Sequence, residues 1–348
     1  MDAAGDLPAL GLAEARQRAG AAAVQVKRGL DPIDARKVKE SRSKNTVNAI
    51  LDTFVARHVK TLRTADQVER GFDVYVRPRI GAKSIYDLKR RDIVKMLDEI
   101  EEENGPVMAD RVLAYVRKAF NWQAIRDDQF SPPIVKGMAR TKPKERRRKR
   151  TLDDDEIRDL WAALAKFKGP DCYPPYVKTL LLTTTRRNES SDMNSDEIVG
   201  DLWTIPGGRY KNKLDHVVPL TDMALQCIGN RGGFIFSTTD GQVAFSGFSK
   251  AKTELDRLIA DARREAVRPA MPGWTLHDLR RTGRSLMSRA KVPTDHAERA
   301  LGHVMDGVRE TYDRYEYLDE KRAAFEALAG LLSMILHPQA GNDMSQTG

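Results

Sequence analysis

The sequence lacks features that several protein classes require. It has two cysteines among 348 residues, Cys172 and Cys227, which are too few for a disulfide framework and lack metal-ligand spacing. No run of about 18 apolar residues occurs, and the N-terminus lacks the charged-then-apolar layout of a secretory signal. We therefore expect a cytoplasmic protein without a transmembrane helix, in which both cysteines are reduced.

Common catalytic motifs are absent as well. The chain contains no GxxxxGKS phosphate-binding loop, no HExxH, no zinc spacing of Cys and His, and no internal repeat. Nucleotide hydrolysis and metal-dependent hydrolysis therefore lack sequence support. We predict no cofactor and no bound metal.

Positive charge is what the chain has in excess. The formal net charge is +9, in an otherwise ordinary composition of 41% hydrophobic and 31% charged residues. A basic chain binds polyanions by releasing their counterions, and it also binds acidic membranes. No amphipathic stretch combines a basic face with one rich in Trp and Phe, so nucleic acid is the favoured partner.

Apolar spacing divides the chain into segments. Residues 1–38 contain one helix, at about 12–26, and read as a docking helix and linker or the remnant of a larger unit. Residues 39–140 have helical spacing throughout, which predicts a small all-helical domain of four or five helices. Residues 151–338 alternate helices with short strands, and the polar tail 339–348 is expected to be disordered. The predicted fold is mainly α, with a helical domain followed by a mixed α+β domain.

Turn signals and periodicity place elements within the second domain. Thr151 is expected to cap a helix at 153–167. Strands are predicted at 202–205, 211–220 and 234–237, and further helices at 175–182, 247–266, 276–290, 295–301, 308–312 and 319–336.

Residues 141–150 form a boundary with a high density of cations. Such a segment repels itself and stays extended, which predicts an interdomain linker. A solvated tether without function is one interpretation, but we favour a linker that follows a phosphate backbone. Its candidate DNA-binding residues are Lys142, Lys144, Arg146, Arg147, Arg148, Lys149 and Arg150.

Metal-free transesterification at a phosphodiester needs fixed cations, a proton donor and a nucleophile. His277 and Arg280 lie three positions apart on a predicted helix and share a face, with Asp278 pointing elsewhere. Arg186 follows a very apolar segment, and Glu189 could hold it, although a plain ion pair would look the same.

Two further segments supply the remaining chemistry. Residues 210–220 read as a hairpin whose tip carries Lys211, which could protonate a leaving oxygen or simply solvate a turn. His303 follows Leu301-Gly302, and Tyr312 lies nine residues beyond it as a candidate nucleophile. Lys213 is a rival to Lys211, and Tyr315 and Tyr317 are rivals to Tyr312.

Together these segments resemble the tyrosine recombinases of the phage integrase family, most closely the integrases of satellite phages and genomic islands. The resemblance covers about residues 5–336, and Thr184 stands where the family usually has glycine. Residues 12–16 and 29–32 resemble the end of that branch's arm-binding domain, although the strands expected before it are missing. The family pattern of Arg, Lys, His-x-x-Arg, His or Trp, and Tyr is matched by Arg186, Lys211, His277, Arg280, His303 and Tyr312, with Glu189 as a supporting acid.

The resemblance implies a core-binding, SAM-like helical domain and a catalytic domain of the DNA breaking-rejoining type, which together clamp DNA. It implies attack by Tyr312 on the scissile phosphate, a 3′-phosphotyrosyl intermediate, and integration or excision of a phage or genomic island. Attachment-site DNA and three further copies in a synaptic tetramer would be the partners, and a directionality factor is left open. The apolar stripe of residues 319–336 would dock on a neighbouring copy or pack on its own domain. A type IB topoisomerase-like enzyme and a non-cleaving DNA-binding protein of this fold are the alternatives.

Overall fold

The computed structural model describes residues 11–27, 44–142, 145, 148–303 and 317–338. The chain divides into two compact units, Met1–Arg147 and Arg148–Gly348, and each has its own hydrophobic core. The predicted helix at 308–312 and the predicted tail at 339–348 lie outside the described residues. None of the described helices is both long enough and apolar enough to cross a membrane.

The first unit is helical, as its periodicity predicts. Thr46 caps α2 by accepting a hydrogen bond from Ala49 N at 3.2 Å, and Pro106 begins α6 directly after Gly105, whose φ is +81°. A π-helical turn at Phe72–Val76 joins α3 to α4, so these two form one continuous run. The helices are α1 Leu12–Lys27, α2 Val47–Arg57, α3 Ala65–Gly71, α4 Arg77–Ile80, α5 Arg90–Asn104 and α6 Pro106–Ala124.

Helices also form most of the second unit. The expected cap at Thr151 is wrong: Asp153 accepts from Glu156 N at 2.8 Å, and Glu156 accepts from Asp153 N at 2.9 Å. This reciprocal capping box satisfies two backbone donors at once, which a single hydroxyl at Thr151 would not do. The helices are α7 Asp154–Ala165, α8 Tyr173–Thr183, α9 Arg187–Ser191, α10 Asp222–Ile228, α11 Phe248–Glu265, α12 Leu276–Arg289, α13 Thr294–Ala300 and α14 Leu318–Leu336.

A small antiparallel sheet has the order β1-β2-β3, with strands Ile198–Val199, Leu202–Ile205 and His216–Pro219. The strand at 202–205 is confirmed, whereas the one at 211–220 is shortened to four residues that pair with β2. The prediction of a strand at 234–237 is wrong, because the structure describes these residues and they form no strand. Phe234 forms an isolated bridge with Asn194, and the next backbone groups bond to Met193 and Phe245, so no continuous ladder forms.

The apolar stripe of α14 packs within its own unit. The helix contacts β3, α7, α8, α12 and α13, and the stripe lies in the main hydrophobic core. The suggestion that this face docks on a neighbouring copy is therefore wrong, because a face already covered is not available to a second chain. The buried residues of the stripe are Phe325, Leu328, Leu331, Leu332 and Ile335.

Candidate active site

Arg186 is held at the turn between α8 and α9. Glu189, at the third position of α9, accepts from the Arg186 backbone N–H at 2.8 Å and from its guanidinium at 2.5 Å. Glu189 is 5% exposed, so this carboxylate is a buried clamp rather than a solvated surface partner. The predicted contact between the two residues is confirmed.

Thr184 adopts the left-handed conformation that makes this turn possible. It is the C-cap of α8, with φ 51° and ψ 23°, a region where a β-branched side chain is strained and glycine is not. Gly283 on α12 leaves room for it, since a Cβ at Gly283 would lie 2.4 Å from Thr184 Cγ2. The absence of a side chain at Gly283 thus accommodates the threonine.

Arg280 links the Arg186 turn to a second turn at the end of α13. It lies on α12, is 5% exposed, and donates to Thr184 O at 2.5 Å and to Leu301 O at 2.9 Å. Burial and the nearby positive charge of Arg186 lower the pKa of Arg280 to about 10. The guanidinium still carries its charge at neutral pH, so the positive charges of Arg186 and Arg280 lie close together.

His277 and Asp278 are neighbours in the first turn of α12, but their side chains have different surroundings. Asp278 is fully buried and accepts from Thr275 N at 2.8 Å, Arg148 Nε at 2.8 Å and Arg281 at 2.5 Å. Burial opposes ionisation, but these hydrogen bonds hold the pKa of Asp278 below its ordinary value. As predicted, Asp278 points away from the exposed His277.

His277 is set up as a neutral imidazole. Partial burial and the positive charges of Arg281 and Arg280 lower its pKa below the ordinary histidine value. A neutral imidazole near two arginines can accept a proton from a reacting group. Arg186 lowers the pKa of His277 as well, so the imidazole lies within the field of three arginines.

His303 is positioned by the cap that ends α13. Gly302 adopts φ +66°, and its N–H donates to Arg299 O at 2.9 Å, while His303 N donates to Glu298 O at 3.0 Å. This pair of bonds is the Schellman motif, in which a left-handed glycine lets the next residue fold back over the last turn. The Leu301-Gly302-His303 sequence is therefore a helix terminator that directs His303 back towards the helix.

The His303 ring lies between a carboxylate and a guanidinium. Its Nδ1 is 2.5 Å from Glu298 Oε2, and its Nε2 is 3.1 Å from a terminal nitrogen of Arg280. Arg284 donates to Glu298 Oε1 at 2.8 Å. Burial would raise the pKa of Glu298, but the hydrogen bonds from His303 and Arg284 lower it below its ordinary value.

Lys211 lies in the loop between β2 and β3, and its side chain is exposed. Both of its neighbours are anchored at the site: Tyr210 donates to Gly302 O at 2.9 Å, and Asn212 donates to the same oxygen at 3.1 Å. The Tyr210 ring also stacks on His216, with centroids 4.9 Å apart, and lies 5.4 Å from the Arg186 guanidinium carbon. The loop is thus fastened on both sides of Lys211.

Lys213, the predicted rival, is exposed in the same loop and has φ 60°. The expectation that a two-residue shift in hairpin register would exchange the two lysines does not apply, because β3 begins only at His216 and neither lysine lies in a strand. Which lysine reaches a bound phosphate is decided by the loop conformation rather than by strand pairing.

Comparisons with known proteins show what this chain is similar to. Residues 47–129 match the phage integrase central domain. Over 340 residues the chain is 25% identical to the prophage integrase IntA of Escherichia coli K12, covering 94% of this chain and 81% of that protein. It is 22% identical over 325 residues to the integrase of Shigella phage Sf6, with 91% and 83% covered.

The fold likewise matches solved structures. A lambda integrase tetramer bound to a Holliday junction aligns with a TM-score of 0.60 at 18% identity, covering 86% of this chain and 90% of that one. The Tn1549 transposon integrase in complex with circular intermediate DNA aligns with a TM-score of 0.55 at 16% identity, covering 80% and 98%. Over most of its length the chain is thus similar to phage integrases in sequence and to DNA-bound integrases in fold.

Of the six family positions, the structure brings Arg186, Arg280 and His303 together around two turns and places His277 at their edge. Tyr312 and its rival Tyr315 lie outside the described residues. Tyr317, the other rival, is described: it precedes α14 with φ 53°, and its ring centroid lies 3.4 Å from the guanidinium carbon of Arg299. The integrase assignment of the nucleophile to Tyr312 stays a prediction.

The cationic residues of the segment 141–150 have different surroundings. Arg148 bonds to Asp278, and Arg150 forms an ion pair with Glu156 at 2.6 Å. The exposed Lys142 lies 3.0 Å from Glu145, and Lys149 is exposed. Two of the candidate DNA-binding residues therefore have partners inside the second unit, whereas Lys144, Arg146 and Arg147 lie outside the described residues.

Sequence reasoning missed three residues that build the candidate site: Glu298, Tyr210 and Asn212. Glu298 had a signal, because a Schellman cap at Gly302 places it one turn under His303. Tyr210 and Asn212 had none, since their contacts join segments about 90 residues apart. In the part of the chain that the structure describes, no group of three or more His, Cys, Asp or Glu could hold a metal ion.

Proposed function

We propose that this chain is a site-specific integrase that cuts and rejoins DNA through a 3′-phosphotyrosyl bond at Tyr312. The observation that carries the proposal is the buried Arg280, which holds the Arg186 turn through Thr184 O and the His303 turn through Leu301 O. Backbone carbonyls hold Arg280, and carboxylates hold Arg186 and His303, so the two arginines form a fixed cationic site beside the histidine. Such a site suits the charge on the non-bridging oxygens of a phosphate in its transition state.

Each residue has a defined part in the proposed reaction. The Tyr312 oxygen attacks phosphorus, forming the O–P bond as the bond to the 5′ oxygen of the next nucleotide breaks. Neutral His277 accepts the phenol proton, and Lys211 donates a proton to the departing 5′ oxygen. Arg186, Arg280 and His303 bind the non-bridging oxygens, and Glu189 keeps Arg186 in place.

The phosphotyrosyl bond retains the energy of the broken phosphodiester. A 5′ hydroxyl from a second DNA end can therefore attack it and reverse the chemistry, without nucleotide hydrolysis. Lys211 would then take the proton of the attacking hydroxyl, and His277 would return a proton to the tyrosine. Strand exchange between two DNA sites follows from the same group of residues.

The proposal extends to the DNA-binding surface and to assembly. The helical unit is proposed as the core-binding domain, because residues 47–129 match the integrase central domain. Lys142 and Lys149 are proposed to contact the phosphate backbone. A lambda integrase structure shows a tetramer on a Holliday junction, and four copies on two attachment sites are proposed here. Its place of action would be the cytoplasm. Comparing integration with excision by the purified protein alone tests whether a directionality factor is needed.

A nicked suicide substrate tests the proposed chemistry. After cleavage the short fragment that carries the free 5′ hydroxyl diffuses away, so it cannot attack the phosphotyrosyl bond. The covalent protein–DNA adduct therefore accumulates and can be quantified on a denaturing gel. Wild type should form the adduct and Tyr312→Phe should not, while both shift the same DNA in a native gel. Tyr315→Phe and Tyr317→Phe are the matched controls and should keep forming it. Absence of the adduct with wild type, on DNA that it binds, would reject the proposal.

A further inference from the structure

We propose that Glu298 is a positioning residue of the recombination reaction, which fixes the ring of His303 and balances its charge when a phosphate is bound. This inference rests on the proposed function, because it concerns how His303 meets the scissile phosphate. It assigns a role to a half-buried carboxylate that belongs to none of the family positions named above.

Glu298 and His303 are joined twice, once through their backbones and once through their side chains. His303 N donates to Glu298 O at 3.0 Å, and the Glu298 carboxylate lies 2.5 Å from His303 Nδ1. A histidine held at its backbone and at one ring nitrogen has little freedom about its side-chain bonds. The other nitrogen, Nε2, must then point towards Arg280, at 3.1 Å.

The partners of the ring also decide which nitrogen carries the proton. Arginine donates hydrogen bonds and accepts none, so Nε2 accepts from Arg280 and the proton lies on Nδ1, facing Glu298. When a phosphate oxygen takes the place of Arg280 at Nε2, the ring can bind it only after it takes up a second proton from water, so that Nε2 carries an N–H that donates to the oxygen. The resulting imidazolium needs an anion at Nδ1, and Glu298 is that anion.

The surroundings make this negative charge necessary. Arg280 lies beside the ring, and Arg299 and Lys321 line the same cavity of about 250 Å³ as His303. Three cations oppose any further positive charge on the imidazole. A carboxylate in direct contact offsets them.

Glu298 is in turn held by Arg284. Arg284 lies one helical turn after Arg280 on α12, so both arginines face α13, and its Nε donates to Glu298 at 2.8 Å. The chain of contacts therefore runs from Arg284 through Glu298 and His303 to Arg280. Arg284 and Arg280, the two ends of this chain of contacts, lie on one face of α12.

Glu298→Gln tests the role, since glutamine keeps the shape and removes the charge. Single-turnover adduct formation on the suicide substrate should fall by about 10- to 100-fold, the usual loss when a partner behind a reacting group is removed, with unchanged binding of the uncut site. In a His303→Gln background the same change should have no further effect. Glu254→Gln, which removes an exposed carboxylate 2.7 Å from Arg257, is the control and should match wild type.

A measurement independent of activity completes the test. Nitrogen chemical shifts of the His303 ring, assigned with the His303→Gln variant, report which nitrogen carries the proton. In a Tyr312→Phe background with the uncut site bound, the ring should carry a proton on both nitrogens, whereas adding Glu298→Gln should leave a proton on one nitrogen only, because the anion that offsets the imidazolium charge is then missing. Adduct formation equal to wild type, an equal loss in the His303→Gln background, or a ring that carries the same number of protons on bound DNA with and without Glu298→Gln would each overturn the inference. If wild type binds DNA but forms no adduct, the proposed function fails instead, and the ring measurement still decides the role of Glu298.

Discussion

Tyr210 and Gly302 are joined by a hydrogen bond of 2.9 Å from the phenol to the glycine carbonyl. The contact ties the loop that carries Lys211 to the turn that carries His303, across 92 positions of sequence. It also leaves no room for a side chain, since a Cβ on Gly302 would lie 1.9 Å from the phenol oxygen. The glycine of this motif is thus required both for its φ of +66° and for its contact with Tyr210.

Gly302→Ala should therefore abolish adduct formation while the protein still shifts DNA. The left-handed conformation costs alanine about 1–2 kcal/mol, and the phenol must move as well. In the double variant Tyr210→Phe, Gly302→Ala the closest atom is gone and the next lies at 2.9 Å, so part of the activity should return. Tyr210→Phe alone is the control. A double variant no better than Gly302→Ala would show that backbone strain, and not the contact, dominates.

Thr184→Gly should raise the free energy of unfolding of the second unit by about 1 kcal/mol. Glycine removes the left-handed strain and a buried hydroxyl that has no hydrogen-bond partner among the described residues, and these gains exceed the loss of two side-chain carbons and the greater backbone entropy of glycine in the unfolded chain. Urea unfolding followed by tryptophan fluorescence in a Trp122→Phe background measures it, because Trp161, Trp203 and Trp274 all lie in that unit.

Gly283→Ala offers a matched test of the same packing. Its Cβ would lie 2.4 Å from Thr184 Cγ2, so the variant should be destabilised when Thr184 is present and much less so with Thr184→Gly. Equal losses in the two backgrounds would mean that this contact is not what limits the position.

His216 should remain uncharged down to acid pH. It is 6% exposed, and burial, aided by the charges of Lys321 and Arg280, lowers its pKa to about 3. The unfolded chain takes up a proton near pH 6.5 that the folded chain refuses, so this contribution to stability is present above pH 6.5 and is lost as the pH falls towards 3. Between pH 6 and 5 the expected slope from this residue approaches about 1.4 kcal/mol per pH unit.

Ring proton NMR checks the His216 prediction directly, with the signal assigned from His216→Phe. The signal should not shift between pH 8 and 5, and the exposed His277 provides a comparison in the same spectrum. Urea unfolding at pH 6 and 5 should show a smaller difference for His216→Phe than for wild type. A His216 ring that titrates in this range would contradict the prediction.

Arg148 and Lys149 should have different effects although they are neighbours. Arg148→Met leaves the fully buried Asp278 without one of its donors and should lower the free energy of unfolding by about 1–3 kcal/mol. Lys149→Met should leave stability within about 0.5 kcal/mol of wild type, because its side chain is exposed.

The effect of Lys149 on DNA binding is measured by how the binding constant depends on salt concentration. If Lys149 contacts a phosphate, Lys149→Met should reduce the slope of log K against log salt by about 0.9, the value for one lost contact with duplex DNA. An unchanged slope would favour the interpretation of the segment as a tether without function.

Short-range spacing carried much of the prediction. Arg186 with Glu189, and His277 with Arg280, are three positions apart, so the backbone of one helical turn already brings each pair to one face. The period of α14 likewise identified its apolar stripe. It did not identify what covers the stripe, because periodicity defines a face and not its partner.

Short strands were predicted less well for a related reason. The segment at 234–237 has strand-like residues, but its backbone groups bond to Met193, Gly241 and Phe245 in turn, and such partners are unknown until the chain has folded. The choice between Lys211 and Lys213 depends on a loop whose anchors, Tyr210 and Asn212, bind a carbonyl far along the chain.

By itself the sequence determined the residue types, their order and the local geometry of each turn, including the glycine cap that folds His303 back onto Glu298, because such bonds close within six residues. Only the tertiary structure decided that Arg280, 96 positions from Thr184, would join the two turns into one site. That contact depends on packing α12 against α8 over Gly283, and the resulting burial and charge repulsion lower the pKa of Arg280.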